Sequence, residues 1–248
     1  LSLSSAASDV YKRQPSIEDL YSDGPHLGVY NYEIGLPELG AEHTYGLEGS
    51  LGYMFDRAEL KITSYQNYSP NYHLSKVMGE GYEPGADWIE WGSGSAGWLY
   101  IYQMSGLEVY IHGYESDFSY RLNDIIRFDG SFSATRGENL TDNSSLYYMP
   151  PDRILLSTEI NLLPFSINLM HKKVFSQNRI GLYESSTPGY ETYNLIGTYT
   201  IRNSWAVHKI ILQVDNVFDR KYYNHLSRIK SIMPEKGRNI GLQYRLNF

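Results

Sequence analysis

Apolar and polar residues alternate with a period of two along most of the chain, which sends every second side chain of an extended segment to the same face. The clearest case is the last stretch, Arg238 to Phe248. There Ile240, Leu242, Tyr244 and Leu246 share one face, and Asn239, Gly241, Gln243, Arg245 and Asn247 share the other. Upstream, Tyr45, Leu47, Gly49, Leu51, Tyr53 and Phe55 alternate with Thr44, Gly46, Glu48, Ser50, Gly52 and Met54. A run from Ala58 to about Tyr72 sets Leu60 and Ile62 against Glu59, Lys61 and Thr63. Strands resume with Leu107, Val109 and Ile111 opposite Glu108, Tyr110 and His112, and then with Ile126, Phe128, Gly130, Phe132 and Ala134 opposite Arg127, Asp129, Ser131, Ser133 and Thr135. Ile154 to Leu162, a returning strand from Phe165, Tyr193 to Ile201, and Val207 to Tyr223 complete the series. With the terminal stretch, the pattern predicts about nine strands and an all-β fold.

The connections between these strands alternate short and long. Short turns are predicted at Asp56-Arg57, near Leu122 to Asp124, at Pro164 and at about Arg202 to Ala206; long loops at Lys76 to Gly97, Gly137 to Pro151, about Ser176 to Glu191, and Asn224 to Gly237. Outer-membrane barrels have this asymmetry, with short turns on one side of the membrane and long loops on the other, whereas a β-sandwich does not require it. An open sheet edge in lipid leaves unpaired backbone N–H and C=O groups, and bacterial single-chain barrels favour even strand numbers. An odd, open set of strands therefore predicts an incomplete antiparallel transmembrane β-barrel, the C-terminal part of a larger one.

The start of the chain is different in kind. Leu1 to Gln14 has neither periodicity nor a signal-peptide core, and Ser4 to Gln14 resembles translated sequencing-adapter sequence. Residues 1–14 are expected to be a non-native segment outside the fold, with 15–248 the barrel portion and the true protein beginning upstream of Pro15; a natural disordered tail is the alternative. Ser16 and Asp19 form an N-cap pair that predicts a helical turn over Ile17 to Tyr21, and the Gly- and Pro-rich stretch that follows, to Glu42, reads as loop. Near the other end, alternation from Ile210, Leu212 and Val214 places Asn216 and Phe218 on the apolar face. A buried amide without partners is costly, so a β-bulge near Asp215 or a position at the membrane edge is expected.

Composition sharpens this picture. No run of eighteen apolar residues exists and mean hydropathy is -0.42, so there is no candidate transmembrane helix. A membrane-spanning strand, however, needs only about ten residues of alternating character. A net charge of -7 argues against nucleic acid as a partner, and the absence of cysteine removes disulfides and thiolate metal sites. Among 24 tyrosines, Tyr45, Tyr53, Tyr100, Tyr102, Tyr193, Tyr199, Tyr222 and Tyr223 fall near predicted strand ends, where amphipathic rings suit a headgroup girdle. The competing reading is that tyrosine simply favours strands.

Two stretches carry a family resemblance. One is Pro15-Ser16, Glu18, Leu20-Tyr21, Gly24, His26, Glu33-Ile34-Gly35, Pro37, Leu39 and Glu42; the other is Asn216, Phe218-Asp219, Tyr222, Gly237-Arg238-Asn239 and the terminal Phe248. In these the chain, from Pro15 to its end, resembles the C-terminal half of the barrel of TonB-dependent outer-membrane receptors, with Leu36 standing where the family commonly has Asn. The resemblance implies location in the bacterial cell outer membrane, among its lipid, and energy-coupled uptake of a scarce nutrient: a siderophore or other metal chelate, haem, or a metal ion such as zinc. It further implies that Tyr244, Leu246 and Phe248 form the signal read by the barrel-assembly machinery. The TonB energy transducer would be reached through an N-terminal region that, like the plug domain, this chain lacks. It implies no cofactor.

Binding groups concentrate on loops held by a rigid scaffold. Tyr82, Trp88, Trp91 and Trp98 are candidates to present aromatic surface to a haem or chelate, unless that loop packs on itself. His26 and His225 fall in predicted extracellular segments and are candidate metal contacts, although no His-x-His or His-x-x-x-His spacing supports them. Tyr223 to Arg228 resembles the same stretch in receptors thought to take zinc or haem. His112 is expected to line the lumen. No nucleophile elbow, phosphate loop or metalloprotease helix is present, so an enzyme is not expected. The alternatives are another outer-membrane barrel, either a passive porin or an enzyme using Asp129 and His112, and a soluble, aromatic-rich β-sandwich that binds carbohydrate.

Overall fold

The computed structural model describes the chain except residues 1, 30, 79–87, 91–97, 182–183 and 231–232. Its strands are, in chain order, β1 (Ser2–Arg13), β2 (Asp23–His26), β3 (Asn31–Ile34), β4 (Glu42–Met54), β5 (Ala58–Val77), β6 (Trp88–Glu90), β7 (Trp98–Arg121), β8 (Ile126–Asn139), β9 (Ser144–Ser145), β10 (Arg153–Leu162), β11 (Phe165–Val174), β12 (Tyr190–Arg202), β13 (Val207–Asp215) and β14 (Asn239–Asn247). One short helix, α1 (Ile17–Tyr21), precedes β2. The long strands form a single antiparallel path, β1-β4-β5-β7-β8-β10-β11-β12-β13-β14, while β2, β3, β6 and β9 attach beside it. From β4 onward this path has the nine strands that the alternation predicts, and it is open at both edges.

Turns at 55–57, 122–125, 163–164 and 203–206 join strand pairs at one end of the sheet. The strand ends that flank the connections 78–97, 140–152, 175–189 and 216–238 lie at the other. The short–long asymmetry of the sequence is thus the asymmetry of the fold.

Register fixes the faces. The row Leu242, Leu212, Gly197 and Ile167 runs across β14, β13, β12 and β11, and Leu156, Gly130, Phe118, Leu60 and Tyr53 form a matching row across β10 to β4. These side chains are left exposed by the protein, Leu242 by 75% and Leu212 by 46%. The opposite, concave face carries Gln243, Gln213, Asn194, Asn168, Ser157, Asp129 and Lys61. A mostly apolar outside around a mostly polar inside suits a barrel wall with lipid outside and water or protein inside.

Strand β1 departs from this pattern. It pairs with β4 along its whole length, yet each residue from 4 to 14 is exposed. Its outward positions, Ser4, Ala6, Ser8, Val10 and Lys12, are mostly polar beside the Leu51, Gly49, Leu47 and Tyr45 of β4. Edge pairing of this kind uses only backbone groups and does not depend on side-chain identity.

Several boundaries move relative to the sequence expectation. β5 runs on to Val77 and β7 begins at Trp98, the two staying paired across a register shift between Ser69 and Tyr72. In this upper part the faces trade character: Leu107 and Val109 lie on the inner face, buried with Leu146 and Met149. Above the apolar band, other parts of the protein cover these apolar residues, so alternation alone misassigns them. The expected loop after α1 contains a hairpin, β2 with β3, and β3 pairs in parallel with β7. Strand β13 stops at Asp215 instead of reaching Tyr223.

Candidate functional site

All of the longer connections gather at one rim, and three local devices shape it. The first is the unit around α1. Ser16 Oγ accepts from the Asp19 N–H at 3.1 Å, and Asp19 returns a carboxylate to the Ser16 N–H at 2.9 Å, giving the capping box expected from the sequence. Gly35 passes so close to this turn that a Cβ there would stand 2.5 Å from the Leu20 carbonyl carbon. The Gly35 and Leu36 N–H groups donate to the Ser22 and Asp19 carbonyls. Glu42, buried at the start of β4, accepts from the His73 N–H at 3.1 Å.

The second device is a buried ionic cluster that the sequence does not reveal. Glu184 accepts from the Tyr148 N–H at 3.3 Å and the Gly181 N–H at 3.1 Å, and Lys230 Nζ donates to it at 3.0 Å. His225 Nε2 stands 3.0 Å from the same carboxylate, its N–H poorly aimed at it. Side-chain exposure is 4% for Glu184 and 1% for His225. Thr187 Oγ1 lies 2.9 Å and Lys230 Nζ 3.4 Å from His225 Nδ1. An ammonium can only donate, so Nδ1 accepts and the imidazole proton sits on Nε2, toward Glu184. Burial alone pushes the Glu184 carboxyl up, but His225, the Gly181 N–H and Lys230 together bring it down to about 2. Burial raises the Tyr148 phenol beside this cluster. One carboxylate thereby ties together the 140–152, 175–189 and 216–238 connections. Its partners lie up to 46 positions away in sequence, so no local spacing marks it.

The third device closes the last hairpin. Asn216 adopts φ 50° and ends β13; its amide donates to the Arg220 carbonyl and accepts the Arg220 N–H, both at 2.9 Å. Its own N–H donates to Asn194 Oδ1 at 2.9 Å. The amide is satisfied at the rim, by a left-handed turn residue rather than by a bulge. Asp219, also at positive φ, accepts the Arg238 N–H at 2.7 Å, and a Cβ on Gly237 would stand 2.7 Å from that carboxylate.

The candidate ligand residues are distributed as follows. His26 is exposed, its Nδ1 3.3 Å from Glu33, which Arg228 also approaches at 3.5 Å. His225 is enclosed in the Glu184 cluster. Tyr82 and Trp91 lie outside the described residues. Trp88 and Trp98 stand on the neighbouring strands β6 and β7, where Trp88 pairs with Tyr100 and Glu90 with Trp98. Among the described residues, no group of three or more His, Cys, Asp or Glu is arranged to hold a metal. At the opposite end, Tyr244 shares the outer face with Leu246, its hydroxyl 2.7 Å from His208 Nδ1, and Phe248 stacks near Trp205 with centroids 6.1 Å apart.

His112 requires correction. It pairs with Gln66 and Arg136, in the outward row that includes Tyr110 and Tyr114, whereas Asp129 points inward. The two residues weighed as an enzyme pair occupy opposite faces of the sheet. Of the tyrosines read as a girdle, Tyr45, Tyr53, Tyr193 and Tyr199 take outward positions, but Tyr222 belongs to the rim, its ring 4.3 Å from Tyr190.

A family model described as TonB dependent receptor-like, beta-barrel, matches residues 1–217. Among solved structures, the copper transporter OprC is 22% identical over 99% of this chain and 37% of its own, with a TM-score of 0.76. The ferric enterobactin receptor PfeA of Pseudomonas aeruginosa is 19% identical over 99% and 37%, with a TM-score of 0.68. The siderophore receptor PirA from Acinetobacter baumannii is 14% identical over 99% and 38%, also at 0.68. At these identities the likeness shows the fold, and the chain spans little more than a third of each of these proteins.

Proposed function

The chain belongs to the TonB-dependent receptor-like β-barrel family, and from that membership we propose that it is the C-terminal wall of an outer-membrane receptor for energy-coupled uptake of a scarce small ligand. The ligand class is a metal chelate such as a siderophore, haem, or a metal ion. The observation that carries this reading is the division of the sheet into a mostly apolar outside and a mostly polar concave inside, with the long connections leaving from one rim. A soluble sandwich would cover its apolar face with a second sheet, whereas here that face is left bare over nine strands. The neighbours' names, copper transporter and siderophore receptor, favour metal cargo over a passive pore, and transport over catalysis.

In this reading His26, exposed at the rim, and the aromatic residues Tyr82, Trp88, Trp91 and Trp98 contact ligand. His225 acts by fixing the loops around Glu184. Tyr244, Leu246 and Phe248 form the strand presented to the assembly machinery. The TonB transducer and the plug act through the part of the receptor that precedes Pro15. Residues 1–14 are not a native wall strand, a reading favoured by their polar outward row; in the whole barrel an upstream strand takes that edge of β4.

The test is uptake by the complete receptor, expressed in cells that lack their own receptors and are starved for iron or copper. Growth on a ferric chelate or copper that vanishes when the TonB transducer is deleted supports the proposal. Uptake indifferent to the transducer contradicts it and points to a passive barrel.

A further inference from the structure

The outer face changes character abruptly toward the long-loop rim of β8, β10, β11 and β12. Ile126, Phe128, Gly130, Phe132 and Ala134 lead outward up β8, and the next outward position is Arg136. At a rise of about 3.3 Å per residue and a tilt of about 40°, the ten positions from Ile126 to Arg136 climb roughly 25 Å, the height of an apolar barrel band. At or just below that height each neighbouring strand also turns from apolar to charged. Asp152 precedes β10, His171 and Lys173 follow Leu169 on β11, and Glu191 lies beyond Leu195 on β12.

These charges form two nodes, each a carboxylate held between two nitrogen-bearing side chains, a pair of arginines at one and a lysine and a histidine at the other. Arg136 grips Asp152 with Nη2 at 2.8 Å from Oδ2, and Arg179 reaches the same oxygen at 3.6 Å. Lys173 lies 3.0 Å and His171 3.3 Å from Glu191. Three permanent cations thus face two carboxylates, leaving an excess of positive charge, with His171 as a further donor. Glu138, the next outward acid on β8, stands farther from the band. The nodes point away from the lumen, so no ligand inside the barrel reaches them. Cationic side chains at the boundary of an apolar band attract anionic lipid headgroups.

We propose that these outward nodes are a docking site for a phosphate-bearing lipid headgroup of net negative charge in the leaflet crossed by the long-loop end of the sheet. The phosphate oxygens bind between the nodes, accepting from Arg179 and Lys173, which are 50% and 42% exposed and retain free N–H groups, while the acyl chains lie along Leu169, Ile154 and Phe132. The inference rests on the membrane reading of the outer face.

The complete receptor carrying this chain, purified in neutral detergent, is incubated with phosphatidic acid or phosphatidylcholine, and retained lipid is counted by native mass spectrometry. Phosphatidic acid should be held in preference, with retention falling roughly fivefold in each of R179Q and K173Q. E191Q removes a competing carboxylate and should move retention the other way, a change no misfolded variant mimics. Equal retention of the two lipids, or variants that leave the preference unchanged, overturns the proposal. Inorganic phosphate displacing phosphatidic acid completely at equal concentration would also overturn it, by showing a simple anion site. Failure to retain either lipid would overturn the membrane reading as well, so the two failures are told apart.

Discussion

Neutralising Glu184 leaves the Lys230 ammonium and the His225 ring buried together without a counter-ion. Removing one member of such a buried group typically costs about 3–5 kcal/mol, whereas replacing the charged members together with apolar ones of similar size is nearly neutral. E184Q is therefore expected to raise amide hydrogen exchange at Gly181 and Tyr148, with K230M doing likewise and E184Q/K230M lying closer to the parent than either single variant. The carboxyl is depressed from 4.5 to about 2 in the folded chain. Its contribution, on the order of 3 kcal/mol, is thus fully present above pH 4.5 and is lost as pH falls toward 2. The same exchange measurement in acid checks the sign: protection of these loops should fall over that window and stay level between pH 5 and 7. Asn216 was legible from sequence as an amide in the wrong place, because strict alternation put it in lipid. Glu184 was not, because its partners converge from three separate connections and a lone loop carboxylate ordinarily looks solvated. Asn216→Ala removes two side-chain bonds with Arg220 and a 3.4 Å one to the Lys236 carbonyl, at a left-handed position, and leaves the backbone bond to Asn194 in place. A loss of about 2–3 kcal/mol is expected in detergent unfolding of the complete receptor.

At the scale of elements, the strands that cross the apolar band were legible because one face meets lipid and the other does not. β4, β8, β10, β11, β12 and β14 keep that alternation almost throughout. Where β5 and β7 rise above the band, the rule fails: Leu107 and Val109 turn inward under Leu146 and Met149, and the pairing shifts between Ser69 and Tyr72. The β2–β3 hairpin was hidden in a Gly- and Pro-rich stretch whose one informative glycine, Gly35, is required by backbone contact with α1 rather than by a turn. Paired substitutions in β14 separate the faces. Leu242→Arg is expected to cost about 2–4 kcal/mol and to lower folding yield into vesicles, as a cation at the lipid midplane does, while Gln243→Arg, one position on, should fold like the parent. Equal behaviour of the two would mean that β14 does not divide lipid from lumen.

In the whole molecule, the apolar face of the nine path strands from β4 to β14 is expected to be the outside of a membrane barrel. The chain contains no cysteine, so a single cysteine introduced at any of its positions is unique within it and can be spin-labelled in a complete receptor whose remaining part is freed of cysteine. The decisive measurement is collision accessibility in lipid bilayers at Leu51, Phe132, Leu169, Leu212 and Leu242, set beside Ser50, Ser131, Asn168, Gln213 and Gln243, with Ser4 and Ser8 included. The first set should collide readily with oxygen, which concentrates in lipid, and poorly with a water-soluble nickel chelate; the second set should escape lipid contact. Alternation that vanishes or reverses in phase on these strands would contradict the account.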